Sequence, residues 1–152
     1  MVHDVCAKLR PLAEEKNQVL ETDLPATIPN IAVDAQRLRQ VLSNLIGNAI
    51  KFTPPEGRIR VSARVEKDVV VSVSDTGPGI PKENLSKIFD RFWQVPGTKH
   101  QGTGLGLSIA KGIIQSLGGE IWAESQVGKG TSFFITLPLA DSDNGARPRL
   151  AA

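Results

Sequence analysis

The sequence lacks several features that would assign a class of protein at once. Cys6 is the single cysteine, which excludes an internal disulfide and any metal site built from several cysteines. No apolar run approaches the roughly 20 residues of a bilayer-spanning helix, and Met1 to Leu9 show no signal-peptide pattern. The net charge of +2 comes from mixed signs, so a basic field for nucleic acid is absent. We therefore expect a cytoplasmic chain that contacts neither nucleic acid nor, by itself, a membrane, although segments outside it could tether it to one.

The length and composition indicate one globular domain. With 152 residues and 40% hydrophobic content, the chain can bury a single core, and no internal repeat is evident. Residues 141–152 are small, polar or charged, which predicts a disordered tail. The domain is therefore expected at residues 1–140.

Hydrophobic periodicity predicts an alternation of helices and hairpins. The predicted helices cover residues 2–16, 34–52, 82–88 and 105–117, with Asp34 as the N-cap of the second. The predicted strands cover residues 19–24, 59–65, 69–74, 120–125 and 131–137. Residues 94–103 have no periodicity and predict a mobile loop, whereas the aromatic side chains just before it, Phe89, Phe92 and Trp93, are expected in the core.

The second helix presents two stripes of different chemistry. Asn44, Asn48 and Lys51 fall on one face. A separate apolar stripe predicts a side buried in the core, and its members are Leu38, Leu42, Leu45 and Ala49. Asparagine is a poor helix former, so two of them in mid-helix suggest a role other than helicity. Taken alone, this polar face could line a cleft or simply face solvent.

Two further stretches suit a nucleotide. Asp75 ends a strand before Thr76-Gly77-Pro78-Gly79, where a carboxylate can accept a hydrogen bond from an exocyclic amine or merely close a turn. Gly102 to Leu107 leads into a helix, whose unpaired N–H groups favour a phosphate. Its G-x-G-x-G spacing after a loop differs from the dinucleotide-binding pattern, and the Gly-Lys-Ser/Thr phosphate loop is absent.

Five stretches in this order resemble the ATP-binding catalytic domain of sensor histidine kinases, in the superfamily shared with gyrase and the heat-shock chaperone ATPases. They correspond to the asparagine box, the first glycine box, the phenylalanine box, the second glycine box and the third glycine box, at residues 44–52, 75–79, 89–92, 102–107 and 128–131. The resemblance covers nearly all of residues 9–139. It implies an α+β fold of the Bergerat type, a two-layer α/β sandwich in which a mixed sheet of about five strands packs on three helices, with residues 94–103 as a mobile ATP lid.

The resemblance also implies roles for individual residues. Asp75 would accept the adenine amino group, and Asn44 and Asn48 would hold Mg²⁺ through their amide oxygens. Lys51 and Arg91 would contact the phosphates and complete the catalytic set. The remaining nucleotide contacts would come from Phe52, Gly77, Gly79, Ile80, Gly102, Thr103, Gly104, Leu105, Gly106, Leu107 and Thr131, with Lys99 and Gln101 as lid contacts.

The implied function is donation of the γ-phosphoryl group of Mg-ATP to a histidine in two-component signalling. Hydrolytic members of the superfamily carry Glu where this chain has Asn44, and an amide cannot take a proton from water. His3 is followed by Asp4, but Lys8 stands where the family's phosphoacceptor motif has Pro, and His100 lies in the predicted lid. We therefore expect the catalytic half of a longer protein-histidine kinase, monomeric and at most weakly active alone.

The expected partners are a dimerisation and phosphoacceptor domain of the same protein and the receiver domain of a response regulator. One alternative stays open at this point. The same pocket would serve an ATP-binding regulatory module that phosphorylates a protein serine, as an anti-sigma-like kinase does, or that only docks a partner.

Overall fold

A computed structural model describes residues 1–97 and 102–140 of the chain, so the predictions for Lys99, His100, Gln101 and the tail lie outside the described residues. The elements in chain order are α1 (Val2–Glu15), β1 (Val19–Asp23), α2 (Ala35–Phe52), β2 (Arg58–Val65), β3 (Val69–Asp75), α3 (Lys82–Leu85), α4 (Gly106–Ser116), β4 (Ile121–Gln126) and β5 (Gly130–Leu137). Each predicted helix and strand is present, and the largest boundary difference is in α3, which stops three residues earlier than the periodicity indicates.

The strands form one mixed sheet in the order β1-β2-β3-β5-β4. β1 runs parallel to β2, and the other neighbours are antiparallel. Side chains that alternate along the strands, such as Val61, Val73 and Ile135, are fully buried beneath the helices. The predicted two-layer α+β sandwich is confirmed, with α1, α2 and α4 as the three long helices.

Helix α2 lies at the centre because its sequence defines both its ends and its buried side. Asp34 caps the start by accepting hydrogen bonds from the backbone N–H of Gln36 and Arg37 at 2.8 and 3.1 Å. Pro54 and Pro55 prevent its continuation. The predicted apolar stripe is buried, and Val41, Ile46 and Ile50 widen it, so the polar stripe is confined to one side of the helix.

The aromatic residues before the predicted lid are not all in the core. Phe89 and Trp93 pack against it, but Phe92 is 72% exposed, so the prediction for Phe92 is wrong. Its backbone has a φ of 62°, and its N–H donates to the carbonyl of Gly104 at 3.0 Å. This conformation turns the side chain outward, and residue type alone does not reveal it.

None of the helices within residues 1–97 and 102–140 has the length and apolar content needed to cross a membrane.

Candidate functional site

A cleft of about 310 Å³ lies beside the polar face of α2 and the start of α4. Most of the predicted site residues meet there. Those lining the cleft are Asn48, Lys51, Phe52, Asp75, Gly79, Ile80, Gly102, Thr103, Gly104, Gly106, Leu107 and Thr131. Residues separated by as many as 83 positions in the chain, from Asn48 to Thr131, therefore form one continuous surface.

Asp75 occupies the end of β3, directly opposite Thr131 on β5. Its Oδ1 accepts hydrogen bonds from the backbone N–H of Gly77 at 2.8 Å and of Thr131 at 3.3 Å. Burial raises the pKa of the Asp75 carboxyl above its usual range, and these two hydrogen bonds offset only part of that effect. Oδ2 accepts no hydrogen bond from the described residues, so it can accept one from a ligand in the cleft.

The wall around Asp75 is mostly apolar and includes residues that were not predicted as nucleotide contacts. Ile88 and Phe133 belong to the core by their burial and also line the cleft. The other such residues are Pro78 in the first glycine box, Trp93, and Gln94 and Val95 at the start of the predicted lid. Phe133 lies two positions after Thr131 on β5, so strand alternation puts both side chains on one face. That spacing could have identified Phe133, whereas Trp93, Gln94 and Val95 sit in irregular chain that gives no such signal.

Lys51 supplies positive charge to the lining of the cleft. Its Nζ lies 4.9 Å from the centre of the Phe52 ring, and burial lowers the pKa of its ammonium group. In the described ranges, no carboxylate comes within 4.0 Å of this Nζ. A Cβ atom at position 102 would lie 2.6 Å from the Nζ, so the ammonium group lies against the second glycine box. An anion bound there would meet both the lysine and the backbone of that box.

Asn44 ties α2 to the start of α4 at the rim of the cleft. Its Nδ2 donates to the carbonyl of Gly106 at 3.1 Å. The amide nitrogen is thereby occupied, and Oδ1 accepts no hydrogen bond within residues 1–97 and 102–140. Asn48, one turn further along the same face, lines the cleft itself. Asn48 thus places an amide group on this wall, and the Asn44 amide lies against Gly106 beside it.

The second glycine box is held against the phenylalanine box. Gly104 has a φ of 71°, and a Cβ there would lie 2.8 Å from the carbonyl carbon of Phe92. Gln94 Nε2 donates to the carbonyl of Gly102 at 2.5 Å. Close backbone approach of this kind requires glycine at position 104.

Among the described residues, four predicted site residues do not line the cleft, namely Asn44, Gly77, Arg91 and Leu105. Arg91 is exposed and lines a separate surface groove together with Leu105 and Ile109 on α4. Gly77 contributes through its N–H to Asp75 rather than through the cleft wall. The structure therefore does not bring Arg91 to the cleft.

Residues 33–141 match the family described as "Histidine kinase-, DNA gyrase B-, and HSP90-like ATPase". The chain is 41% identical over 142 residues to the adaptive-response sensory kinase SasA of Synechococcus elongatus. This alignment covers 91% of this chain and 37% of that protein. The SasA of Thermosynechococcus vestitus is 45% identical over 129 residues, covering 83% of this chain and 34% of its own length. The chain thus spans little more than a third of these relatives.

Solved structures agree with these sequence relatives. The catalytic domain of the histidine kinase ThkA superposes with a TM-score of 0.80 at 35% identity, covering 90% of this chain and 89% of that one. Full-length ShkA in complex with AMPPNP gives a TM-score of 0.81 at 33% identity, covering 90% of this chain and 29% of that one. The chain therefore belongs to the histidine kinase-, DNA gyrase B- and HSP90-like ATPase family and has the catalytic-domain fold of the histidine kinases.

Proposed function

We propose that the chain binds Mg-ATP in the cleft and donates the γ-phosphoryl group to a histidine on a dimerisation domain outside it. The domain that we propose for this function spans residues 1–140. The observation that carries the proposal is the Asp75 carboxylate, whose Oδ1 is held by two N–H groups while Oδ2 remains available within an apolar wall. That arrangement suits a flat, apolar base with an exocyclic amine.

The part of the cleft beside Lys51 and the second glycine box suits a triphosphate. Lys51 provides a cation without a carboxylate partner among the described residues, and Gly102 and Gly104 leave the backbone accessible beside it. Adenine at Asp75 and phosphates at Lys51 would place ATP along the length of the cleft. We also propose Arg91 as a phosphate contact, which requires it to move from the groove it lines here.

Asn44 and Asn48 are the residues that would hold Mg²⁺. The described residues contain no group of three or more His, Cys, Asp or Glu side chains that could hold a metal ion. A cation at this site would therefore depend on amide oxygens, phosphate oxygens and water, which is a common ligand set for Mg²⁺. The hydrogen bond from Asn44 Nδ2 to Gly106 leaves the oxygen of that amide for the cation. When bound, Mg²⁺ would neutralise charge on the phosphates.

The side chains around the cleft favour phosphoryl transfer over hydrolysis. Asp75 is the single carboxylate among the described residues that line it, and its Oδ1 is already held by backbone N–H groups. Asn44 cannot deprotonate water. A neutral imidazole needs no such base, because its nitrogen is already a nucleophile. The new N–P bond forms as the bond from the γ-phosphorus to the β–γ bridging oxygen breaks, and ADP leaves with that oxygen.

The partners follow from the same proposal. The acceptor histidine would belong to a dimerisation domain, and a response regulator's receiver domain would accept the group next. Use of ATP as the donor implies a cytoplasmic location, and we propose that the isolated chain is monomeric. The relatives named SasA are described as sensory kinases, which supports the assignment of kinase activity. Their names do not identify the signal to which this chain responds.

The test combines γ-labelled ATP, the chain and a separately supplied dimerisation domain from a SasA relative. We expect acid-labile, base-stable label on that domain, as phosphohistidine requires. Asn48→Ala should reduce transfer far more than it reduces ADP binding, since a metal on this amide acts chiefly on the phosphates. Gln40→Ala removes an amide from the exposed surface of the same helix and should leave transfer unchanged. Label on serine, or no label, would contradict the proposal.

A further inference from the structure

The junction between α1 and β1 holds the end of α2 that carries Lys51. Lys16 Nζ donates to the carbonyls of Ile50, Lys51 and Thr53 at 2.6, 3.1 and 3.0 Å. Gln18 Nε2 donates to two of the same carbonyls, those of Ile50 and Thr53, at 2.9 and 2.5 Å. These five hydrogen bonds connect residues that are 32 to 37 positions apart in the chain.

The sequence explains why α2 needs donors from elsewhere. In a continuing helix, the carbonyls of Ile50 and Lys51 would accept from the N–H groups of residues 54 and 55. Both of those residues are proline and have no N–H. The last turn would therefore expose unpaired carbonyls at the negative end of the helix dipole, where an ammonium group is favourable. Lys16 and Gln18 provide the missing donors.

Local backbone geometry brings the two donors together. Asn17, two residues after the end of α1, has a φ of 53°. The N–H of Gln18 donates to the carbonyl of Ala13 and the N–H of Asn17 to that of Glu14, both at 2.9 Å. This is a Schellman motif, in which asparagine tolerates the left-handed position. The resulting turn allows side chains on either side of Asn17 to reach the same helix end.

The arrangement is not what stability alone would select. Gln18 is only 4% exposed, and its Oε1 is buried without a hydrogen-bond partner in the described ranges, as is the Oγ1 of Thr53. Burying unpaired polar atoms is unfavourable. An apolar residue at position 18 would avoid that loss, but it would leave the carbonyls of Ile50 and Thr53 with fewer donors.

We propose that Lys16 and Gln18 are positioning residues for the nucleotide site, acting through the last turn of α2 on Lys51. The inference rests on the proposed function, since it concerns how Lys51 meets the phosphates. Neither residue lines the cleft, whereas Lys51 and Phe52 both line it and both belong to the turn that the two donors fix. Helix α1 contributes no residue to the cleft lining. Through Lys16 and Gln18, the chain that follows α1 is nevertheless connected to the part of the cleft beside Lys51.

A double-mutant cycle on nucleotide affinity tests this inference. Mg-ATP is titrated by NMR into the chain, Lys16→Met, Lys51→Ala and the double variant. We expect Lys16→Met to weaken binding about fivefold to tenfold in the unsubstituted chain but less than about twofold in the Lys51→Ala background. The second effect is smaller because Lys16 acts on the nucleotide through Lys51. Lys8→Met removes an exposed lysine from the same helix and should leave affinity unchanged.

A second cycle separates positioning from general stability. Lys16→Met should weaken binding by the same factor in the Ile80→Ala background as in the unsubstituted chain, because Ile80 lines the cleft where its N–H donates to Ser125 on β4, at the opposite edge of the sheet from β1. Equal coupling to Lys51 and Ile80, or unchanged affinity, would overturn the inference. If Lys16→Met does not fold, Lys16→Gln, which keeps a donor of shorter reach, takes its place. Absence of binding by the unsubstituted chain would overturn the proposed function as well, whereas normal binding with additive effects overturns the positioning role alone.

Discussion

Asp75 is subject to two opposing demands. Its carboxylate is placed to accept a hydrogen bond from a ligand, yet burial raises its pKa, so the ionised form is unfavourable in the folded chain without a ligand. The sequence predicted this residue because a strand with clear alternation ends at it. The orientation of the Arg91 side chain could not be predicted in this way, because the chain around it is irregular and has no periodic pattern.

The Asp75→Asn substitution should therefore separate binding from stability. Nucleotide affinity should fall by about 1–3 kcal/mol, the range for unpairing a buried polar contact, because an amide presents a donor or a weaker acceptor to the adenine amine. At neutral pH the melting temperature of the ligand-free chain should rise, because the buried charge is gone. Calorimetry and thermal unfolding measure the two effects.

The stability of the chain should depend on pH through the Asp75 carboxyl. A carboxyl whose folded pKa is raised contributes stability that is fully present below its unfolded pKa and lost as the pH rises through the folded value. The stability advantage of Asp75→Asn should therefore shrink as the pH falls through that window. Asp68→Asn, in the turn directly before the same strand, is the matched control. Unchanged affinity, or an advantage that grows towards acid pH, would contradict this account of Asp75.

At the scale of elements, local signals determined what could be predicted. Helix α2 was predictable because an N-cap, an apolar stripe and two prolines act within one stretch of chain. The conformation of Phe92 was not, because its left-handed backbone accompanies a contact with Gly104, twelve positions away. The hydrogen bonds from Lys16 and Gln18 to the end of α2 were also not predicted, because contacts between residues far apart in the chain produce no periodic sequence pattern.

Gly104→Ala tests the packing of the second glycine box. A Cβ there would lie 2.8 Å from the carbonyl carbon of Phe92, and the left-handed backbone adds about 1–2 kcal/mol of strain for a residue other than glycine. We expect reduced stability and weaker nucleotide binding, measured by chemical unfolding and calorimetry.

Gly112→Ala provides the control within α4. This glycine is helical, and a Cβ there would meet no atom within 4 Å, so the substitution should be neutral or stabilise the chain by about 0.5–1 kcal/mol. Equal effects of the two substitutions would show that the approach of Gly104 to Phe92 is not important.

At the scale of the whole molecule, the sheet brings the separate motifs together. The register of β3 and β5 sets Asp75 opposite Thr131, and α2 and α4 supply the remaining walls. The order of the five motifs was enough to predict this fold. The extent of the apolar wall was not, because Ile88 belongs to the core and to the cleft at once and its sequence pattern indicates only the core.

The central claim is that this cleft binds Mg-ATP, and calorimetric titration of the chain with ATP and Mg²⁺ tests it most directly. We predict a single site of micromolar affinity. Nucleotide at 100 times the dissociation constant should stabilise the fold by about 2.7 kcal/mol and raise the melting temperature accordingly. Asp75→Asn should weaken the same signal. Absence of both heat and thermal stabilisation in the unsubstituted chain would contradict the assignment of the cleft.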